Sequence, residues 1–263
     1  GIVDAASCEA WSIPLLKCGQ RNSQSWEAFT LMQLQMTEEQ VLIVELVRRF
    51  VRDEILPLEM NLDPDADKLD EPDEIRLKEM TREMGLYGLG IPQEYGGPNL
   101  DMVTMALIAI EMSQHRAGLY VPCYGVFGGA GLAQLFEAND DQKERYLLPT
   151  LRGEKSGFFG LTEPSGGSDP ARAIQTKAIK DGDNWVINGG KIFISGADQA
   201  DYGLVFARTS PEKGRGGVTC FIVDTDTPGF HVRRVVHTLR SSRYATELQF
   251  DNMCVPQKNI LGE

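Results

Sequence analysis

Phe158-Phe159-Gly160-Leu161-Thr162-Glu163-Pro164-Ser165-Gly166-Gly167-Ser168-Asp169 is the stretch that decides how this chain is read. A strand over Phe158–Thr162 ends in a Thr-Glu-Pro turn, and a Gly-Gly-Ser-Asp loop follows. Successive backbone N–H groups in such a loop can converge on an anion, because glycine removes the side chains that would block it. Thr162 and Ser168 add hydroxyls suited to a polar cofactor edge and to phosphate oxygen. On these residues alone, a tight turn that merely joins two strands explains the segment about as well. No Gly-Lys-Ser/Thr follows, which excludes a Walker loop. No βαβ unit surrounds the loop, which excludes the Gly-x-Gly-x-x-Gly dinucleotide fingerprint. Further on, Lys191-Ile192-Phe193-Ile194-Ser195-Gly196 sets an aromatic, an aliphatic and a hydroxyl on one strand. Together the two segments offer a flat apolar wall and two hydroxyls, which suits a planar heteroaromatic ring.

Outward from this stretch the chain has two periodicities. After Lys155 apolar residues alternate with period two over Phe158–Thr162, Ile174–Ile179, Trp185–Asn188, Lys191–Ser195, Gly203–Ala207, Thr219–Val223, Phe230–Val236 and Glu247–Phe250. Asn188-Gly189-Gly190-Lys191 reads as a hairpin, since Gly-Gly supplies the positive φ of a primed turn. Short strands at this spacing predict an antiparallel barrel or sandwich. Before Lys155 the period is helical. Thr37-Glu38-Glu39-Gln40 reads as an N-cap with an acidic first turn, and Val41, Val44, Val47, Phe50 and Val51 form one apolar face that Pro57 ends. Further helices are expected over Pro72–Met84, Met102–Ser113, Gly125–Phe136 and Asp140–Leu151, with a turn-rich connector over Gly88–Pro98. The fold class expected is α+β: an all-α domain over residues 37–155, then an antiparallel β-barrel or sandwich over 156–263. Residues 1–36 have no clear period and read as a poorly specified leader, neither a signal nor a transit peptide.

The charge balance narrows the partners. Residues 1–155 carry 14 Lys/Arg against 26 Asp/Glu, and residues 156–263 carry 12 of each, so the whole net charge of −12 sits in the first part. That argues against a nucleic-acid or anionic-membrane surface there. No apolar run is long enough to span a bilayer. Cys8, Cys18, Cys123, Cys220 and Cys254 are scattered without a Cys-x-x-Cys pair, and His115, His231 and His237 have no metal-ligand spacing, so free thiols and no metal site are expected.

The run from Gly157 to Ser210 closely resembles the middle domain of the flavin-dependent acyl-CoA dehydrogenases. Their aromatic-x-aliphatic-Thr-Glu-Pro-x-x-Gly-Ser-Asp pattern appears as Phe159 to Asp169, and their Gly-x-Lys-x-aromatic-Ile-Ser/Thr as Gly189 to Ser195. The segments Gly217–Asp224, Pro228-Gly229, Glu247–Asn252 and Asn259–Glu263 fit as well, and Gly85–Pro98 fits the family's helical domain. The resemblance covers roughly Thr37 to Glu263. It implies that Phe159, Leu161 and Thr162 lie along the flavin ring of FAD. It implies that Ser168 touches the FAD pyrophosphate and the edge of the acyl-CoA site. Phe193, Ile194 and Ser195 are then expected to pack on the ring's other side, with the Ser195 hydroxyl near flavin N5.

The activity implied is removal of the α-proton of an acyl-CoA thioester and transfer of a hydride from Cβ to the flavin, giving a trans-2-enoyl-CoA in fatty-acid β-oxidation. Electrons are expected to leave through an electron-transfer flavoprotein, from a homotetramer or dimer in a bacterial or archaeal cytoplasm, or in the mitochondrial matrix of a eukaryote. The family's C-terminal helical bundle, which supplies the glutamate base, is expected after Glu263. The reading is therefore of a chain without that bundle, and no catalytic base is assigned; Glu163 is read as part of the structural turn. Two other readings stay open: a truncated, non-catalytic flavin-binding or interaction chain, and an acyl-CoA oxidase or flavin monooxygenase on the same scaffold. The arginines of Thr238–Thr246 receive no role.

Overall fold

A computed structural model describes residues 36–63, 66, 69–115, 127, 132–166, 168–236 and 245–262. Residues 39–263 make one compact unit, in which a helical part precedes a curled, mostly antiparallel sheet. Helix α1, Glu38–Phe50, buries Val44, Val47 and Phe50 along one face. Pro57 does not end it. A π-helical turn, Val51–Ile55, widens the spiral so that the Leu56 N–H donates to the Val51 carbonyl, and Leu56–Glu59 continues with Pro57 in its first turn. A proline there needs no donor, so the wider turn removes the penalty that an ordinary helix interior imposes.

Helix α2, Glu71–Glu83, carries Pro72 in its first turn and ends before Gly85, whose φ of +70° is the left-handed stop that glycine gives at least cost. In α3, Met102–Met112, the Asp101 side chain accepts the N–H groups of Val103 and Thr104. Helix α4 is assembled from Asp140–Gln142, a π-helical turn at Lys143–Leu147 and Leu148–Leu151, and it opens with a reciprocal cap between Asn139 and Gln142. Half of the helix expected over Gly125–Phe136 lies outside the described residues; its last part forms a 3-10 turn, Ala133–Glu137.

Among the described residues seven strands follow: β1 Gly157–Gly160, β2 Lys177–Asp181, β3 Asn184–Ser195, β4 Tyr202–Arg208, β5 Val218–Asp224, β6 Phe230–Val236 and β7 Ala245–Pro256. A short helix, α5 (Pro170–Ala173), lies between β1 and β2. They run in the order β1-β4-β2-β3-β7-β6, with β5 paired to β4. β1 and β2 lie parallel to β4, and the other pairs are antiparallel, so the sheet is mixed.

The expected hairpin at Asn188–Lys191 is absent, because β3 runs straight through it. The two-residue turn is instead Gly182-Asp183, between β2 and β3, with Gly182 at φ +58°. The glycines of β3 answer a different need. A Cβ on Gly189 would lie 2.6 Å from Thr176, and one on Gly190 would lie 2.9 Å from the Leu248 carbonyl. Close approach to neighbouring backbone, not a turn, explains them.

One core lies inside the sheet, around Phe158, Ile187, Ile194, Phe221, Phe250 and Met253. Another lies among the helices, around Val47, Phe50, Ile55, Leu77 and Ile108. A third joins the two parts: Ile91, Leu135, Tyr146 and Leu147 pack on Tyr202, Leu204 and Ile222. Polar contacts orient that seam. The Tyr146 hydroxyl donates to Asp224 (3.0 Å), Thr150 and Tyr202 share a hydroxyl contact (2.8 Å), and the Gln142 amide donates to the carbonyls of Lys258 and Ile260. Apolar burial supplies the driving force, and these directional contacts select one docking angle.

Candidate functional site

The two motif segments become neighbours at the end of β1. The Ile192 N–H donates to the Thr162 carbonyl at 2.9 Å, which sets the Thr-Glu-Pro turn against the second half of β3. β1 buries Phe158 and turns Phe159 the other way, half-buried on Phe206 with ring centroids 5.0 Å apart. Leu161 and Thr162 are also half-buried.

On β3 the ladder with β7 slips between Lys191 and Ile194, where three steps on β3 oppose two on β7. The extra residue makes a β-bulge, and Phe193 sits in it at φ +58°. A phenylalanine in this region is strained by about 1–3 kcal/mol. The bulge turns the ring outward, 57% exposed, and leaves Ser195 exposed beyond it, while Ile194 enters the core. Ser168 is exposed in its loop. Among the described residues none hydrogen-bonds the hydroxyl of Thr162, Ser168 or Ser195. Of the residues named from sequence, Phe159, Leu161, Thr162, Phe193 and Ser195 thus lie on two joined segments. Ile194 can reach a ligand only through its backbone, since Thr246 Oγ1 donates to its carbonyl and its side chain is buried.

Beneath this junction lies a buried ion pair. Lys191 Nζ is 2.7 Å from Glu163 Oε1, and the two side chains are 0% and 4% exposed. Burial pushes the Lys191 ammonium below the ordinary lysine value, against the pull of Glu163. Burial also raises the Glu163 carboxyl, yet hydrogen bonds from Lys191, Thr176 and Gln175 outweigh it and hold Glu163 below the usual carboxylate range. The carboxylate is therefore ionised and fully engaged. The far side of the Ser168 loop is held by Arg208, whose guanidinium donates to the carbonyls of Ala171, Ile174 and Gly214. A cleft of about 380 Å³ opens beside the ion pair, bordered by Pro164, Ser165, Gln175, Gly189 and Arg233; none of Phe159, Thr162, Phe193 or Ser195 lines it.

Sequence reasoning missed the bulge and gave Lys191 no role. The bulge has no sequence signal, because Ile192-Phe193-Ile194-Ser195 reads as uninterrupted alternation. Lys191 did leave one: a lysine at an inward-facing strand position needs a buried partner. Cys220 and Cys254 are free thiols, and His231 is exposed near Asp251. Cys8, Cys18, Cys123 and His237 lie outside the described residues. Among the described residues no group of three or more His, Cys, Asp or Glu is placed to hold a metal ion, and no helix is long and apolar enough to cross a membrane.

A helical part followed by a curled sheet, with a Thr-Glu-Pro turn locked beside an outward-facing aromatic bulge, defines the class of two-domain scaffold seen here. Two family descriptions match it: "Acyl-CoA dehydrogenase, N-terminal domain" over residues 37–154 and "Acyl-CoA dehydrogenase, middle domain" over 158–253. The chain belongs to the acyl-CoA dehydrogenase family.

An acyl-CoA dehydrogenase of Bacillus subtilis is 38% identical over 235 residues, covering 88% of this chain and 59% of that protein. A chain from the structural study of the electron transferring flavoprotein of Acidaminococcus fermentans superposes with a TM-score of 0.70 at 32% identity, covering 88% of this chain and 60% of that one. A glutaryl-CoA dehydrogenase of Mycobacterium smegmatis in complex with FADH2 superposes with a TM-score of 0.69 at 26% identity, covering 89% and 58%. The chain thus spans about three-fifths of the length of these relatives.

Proposed function

We propose that this chain carries the flavin-binding face of an FAD-dependent acyl-CoA dehydrogenase, which converts an acyl-CoA thioester to the trans-2-enoyl-CoA. The observation that carries the reading is Phe193: a strained, solvent-facing aromatic on segments that also carry the Thr162 and Ser195 hydroxyls, which have no hydrogen-bond partner among the described residues, in the stretch that matches the family's middle domain. A planar ring seated between these segments would gain apolar contact from Phe159 and Leu161 on one side and from Phe193 on the other. The Thr162 and Ser195 hydroxyls would donate to its polar edges, and Ser168, with the amides of its loop, would hold the pyrophosphate and border the acyl-CoA. These residues fit FAD. When bound, FAD supplies the two-electron acceptor. The chain's own part is to flank the ring, exclude water from it and fix its tilt, so that the thioester's Cα–Cβ bond meets it in one orientation.

Glu163 is not the base. Its oxygens already accept from Lys191, Gln175 and Thr176, and it sits below the surface. With this reading go two domains, 37–155 and 156–263, an electron-transfer flavoprotein as acceptor and a homotetramer or dimer as the assembled form. A place in β-oxidation, in a bacterial or archaeal cytoplasm or a mitochondrial matrix, goes with it too. The test is flavin content. The purified chain is expected to absorb near 450 nm and to release FAD on denaturation. Anaerobic butyryl- and octanoyl-CoA then ask whether the bound flavin bleaches. Colourless protein that takes up no added FAD sinks the reading, and bleaching would mean that a base lies in this chain outside the residues assigned here.

A further inference from the structure

We propose that Glu163 and Lys191 are positioning residues of the flavin site, an ion pair whose directional bonds hold the three flavin-facing segments in one arrangement. The proposal rests on the flavin reading above and adds two residues that the reading does not use. The three donors of Lys191 are all taken: by Glu163 Oε1 at 2.7 Å, by the Phe206 carbonyl at 2.7 Å and by the Leu161 carbonyl at 3.3 Å. Leu161 precedes Thr162, and Phe193 stands two residues beyond Lys191, so one ammonium group ties the end of β1 to the bulge. The carboxylate of Glu163 works on the third segment. Its Oε1 accepts the Thr176 N–H at 3.0 Å and its Oε2 the Gln175 N–H at 2.5 Å, which closes the loop that carries Ser168.

The energetics favour a positioning role over a purely packing one. Two well-packed apolar side chains of similar volume commonly stabilise a core as well as a buried ion pair does, or better. Apolar contact has no direction, whereas charge-assisted hydrogen bonds fix both distance and angle. Here five such bonds converge on two side chains, and every one reaches a segment bearing a proposed flavin contact or the strand beneath it.

The test uses Glu163→Gln, Lys191→Met, the double variant and Glu163→Asp. For each, the melting temperature of the apoprotein, the dissociation constant for FAD and the absorbance spectrum of the bound flavin are measured. Each neutral single variant strands a charge and is expected to melt well below wild type, which a merely structural pair would also do. The double variant strands none. It is expected to recover most of the lost melting temperature while binding FAD at least tenfold more weakly, with a shifted 450 nm band. Glu163→Asp keeps the charge but draws the carboxylate back from the two amides. It is expected to weaken FAD binding with a smaller loss of stability, and it decides the matter should the double variant not fold. Wild-type FAD affinity and spectrum in a folded double variant or in Glu163→Asp would overturn the proposal. Failure of the wild-type chain to bind FAD would instead overturn the reading beneath it.

Discussion

Two bulges interrupt the same ladder, β3 against β7, and they are built from opposite materials. At the first, between Ile187 and Gly189, the extra residue is on β7: Asn252, at φ +48°. Asparagine visits that region at little cost. Its N–H donates to the Asn188 side chain at 2.8 Å, and the Asn188 amide donates back at 3.2 Å. Local chemistry accounts for it fully. At the second, the extra residue is Phe193, which gains nothing local from a positive φ and leaves its ring in water. Strain that local chemistry repays is architecture. Strain it does not repay points to a ligand.

The largest expected difference between the bulges is their response to acid. The Asn188–Asn252 contact joins neutral amides, whereas the Phe193 bulge stands two residues from Lys191 and its partner Glu163. Because Glu163 is held below the carboxylate value of 4.5 in the fold, its contribution is complete above that pH and is lost as pH falls through the lower, folded value. Lys191 then remains charged in the core. Breaking a buried pair this way costs about 3–5 kcal/mol. The gap in melting temperature between wild type and Glu163→Gln should therefore be wide at pH 7 and narrow as the pH falls below 4.5. A gap that does not change with pH would break the link between the pair and the bulge.

Next in size is a pair of glycine substitutions. Phe193→Gly relieves strain of about 1–3 kcal/mol and adds a glycine entropy cost of about 0.5–1 kcal/mol, for a net gain near 1 kcal/mol. It also removes the aromatic face, so FAD binding should weaken about tenfold or more while the apoprotein melts higher. Asn252→Gly should change stability by no more than about 0.5 kcal/mol and leave FAD binding alone. Melting curves and FAD titrations of the two variants check both. Equal effects at the two sites would mean that Phe193 is no more than another turn residue.

How much of this was legible follows from what each feature depends on. The Thr-Glu-Pro turn and the strands on either side of it are local, and Phe158, Leu161 and Thr162 announced them by composition. The helical part was legible for the same reason, through Val44, Val47 and Phe50. Pro57 misled, because a proline reads as a stop unless the preceding turn widens, and nothing in Val51–Ile55 signals a π-helix. Gly189-Gly190 misled because a glycine pair looks the same whether it makes a turn or admits Thr176 and the Leu248 carbonyl at close range. The bulge at Phe193 depends on how β7 registers, and Thr246 and Leu248 lie some fifty residues downstream. Register over that distance is a tertiary property.

The smallest expected effect uses two cysteines as reporters of the same two places. Cys254 lies on β7 two residues after Asn252 and is exposed. Cys220 lies on β5, opposite Phe206, whose carbonyl accepts from Lys191. Burial pushes the Cys220 thiol up to about 12, and the nearby Lys191 charge offsets this only in part. Since the thiolate is the reactive form, about one Cys220 in ten thousand is ionised at pH 8. Iodoacetamide at that pH, followed by peptide mass analysis, should therefore modify Cys254 at least tenfold faster than Cys220. Raising the pH should help Cys220 without a plateau below pH 10, because its thiol is still mostly protonated there. Comparable rates at pH 8 would mean that β4 and β5 part often enough to wet the Lys191 junction. The ion pair could not then hold the Phe193 bulge in a fixed place, and the contrast between the two bulges would lose its structural basis.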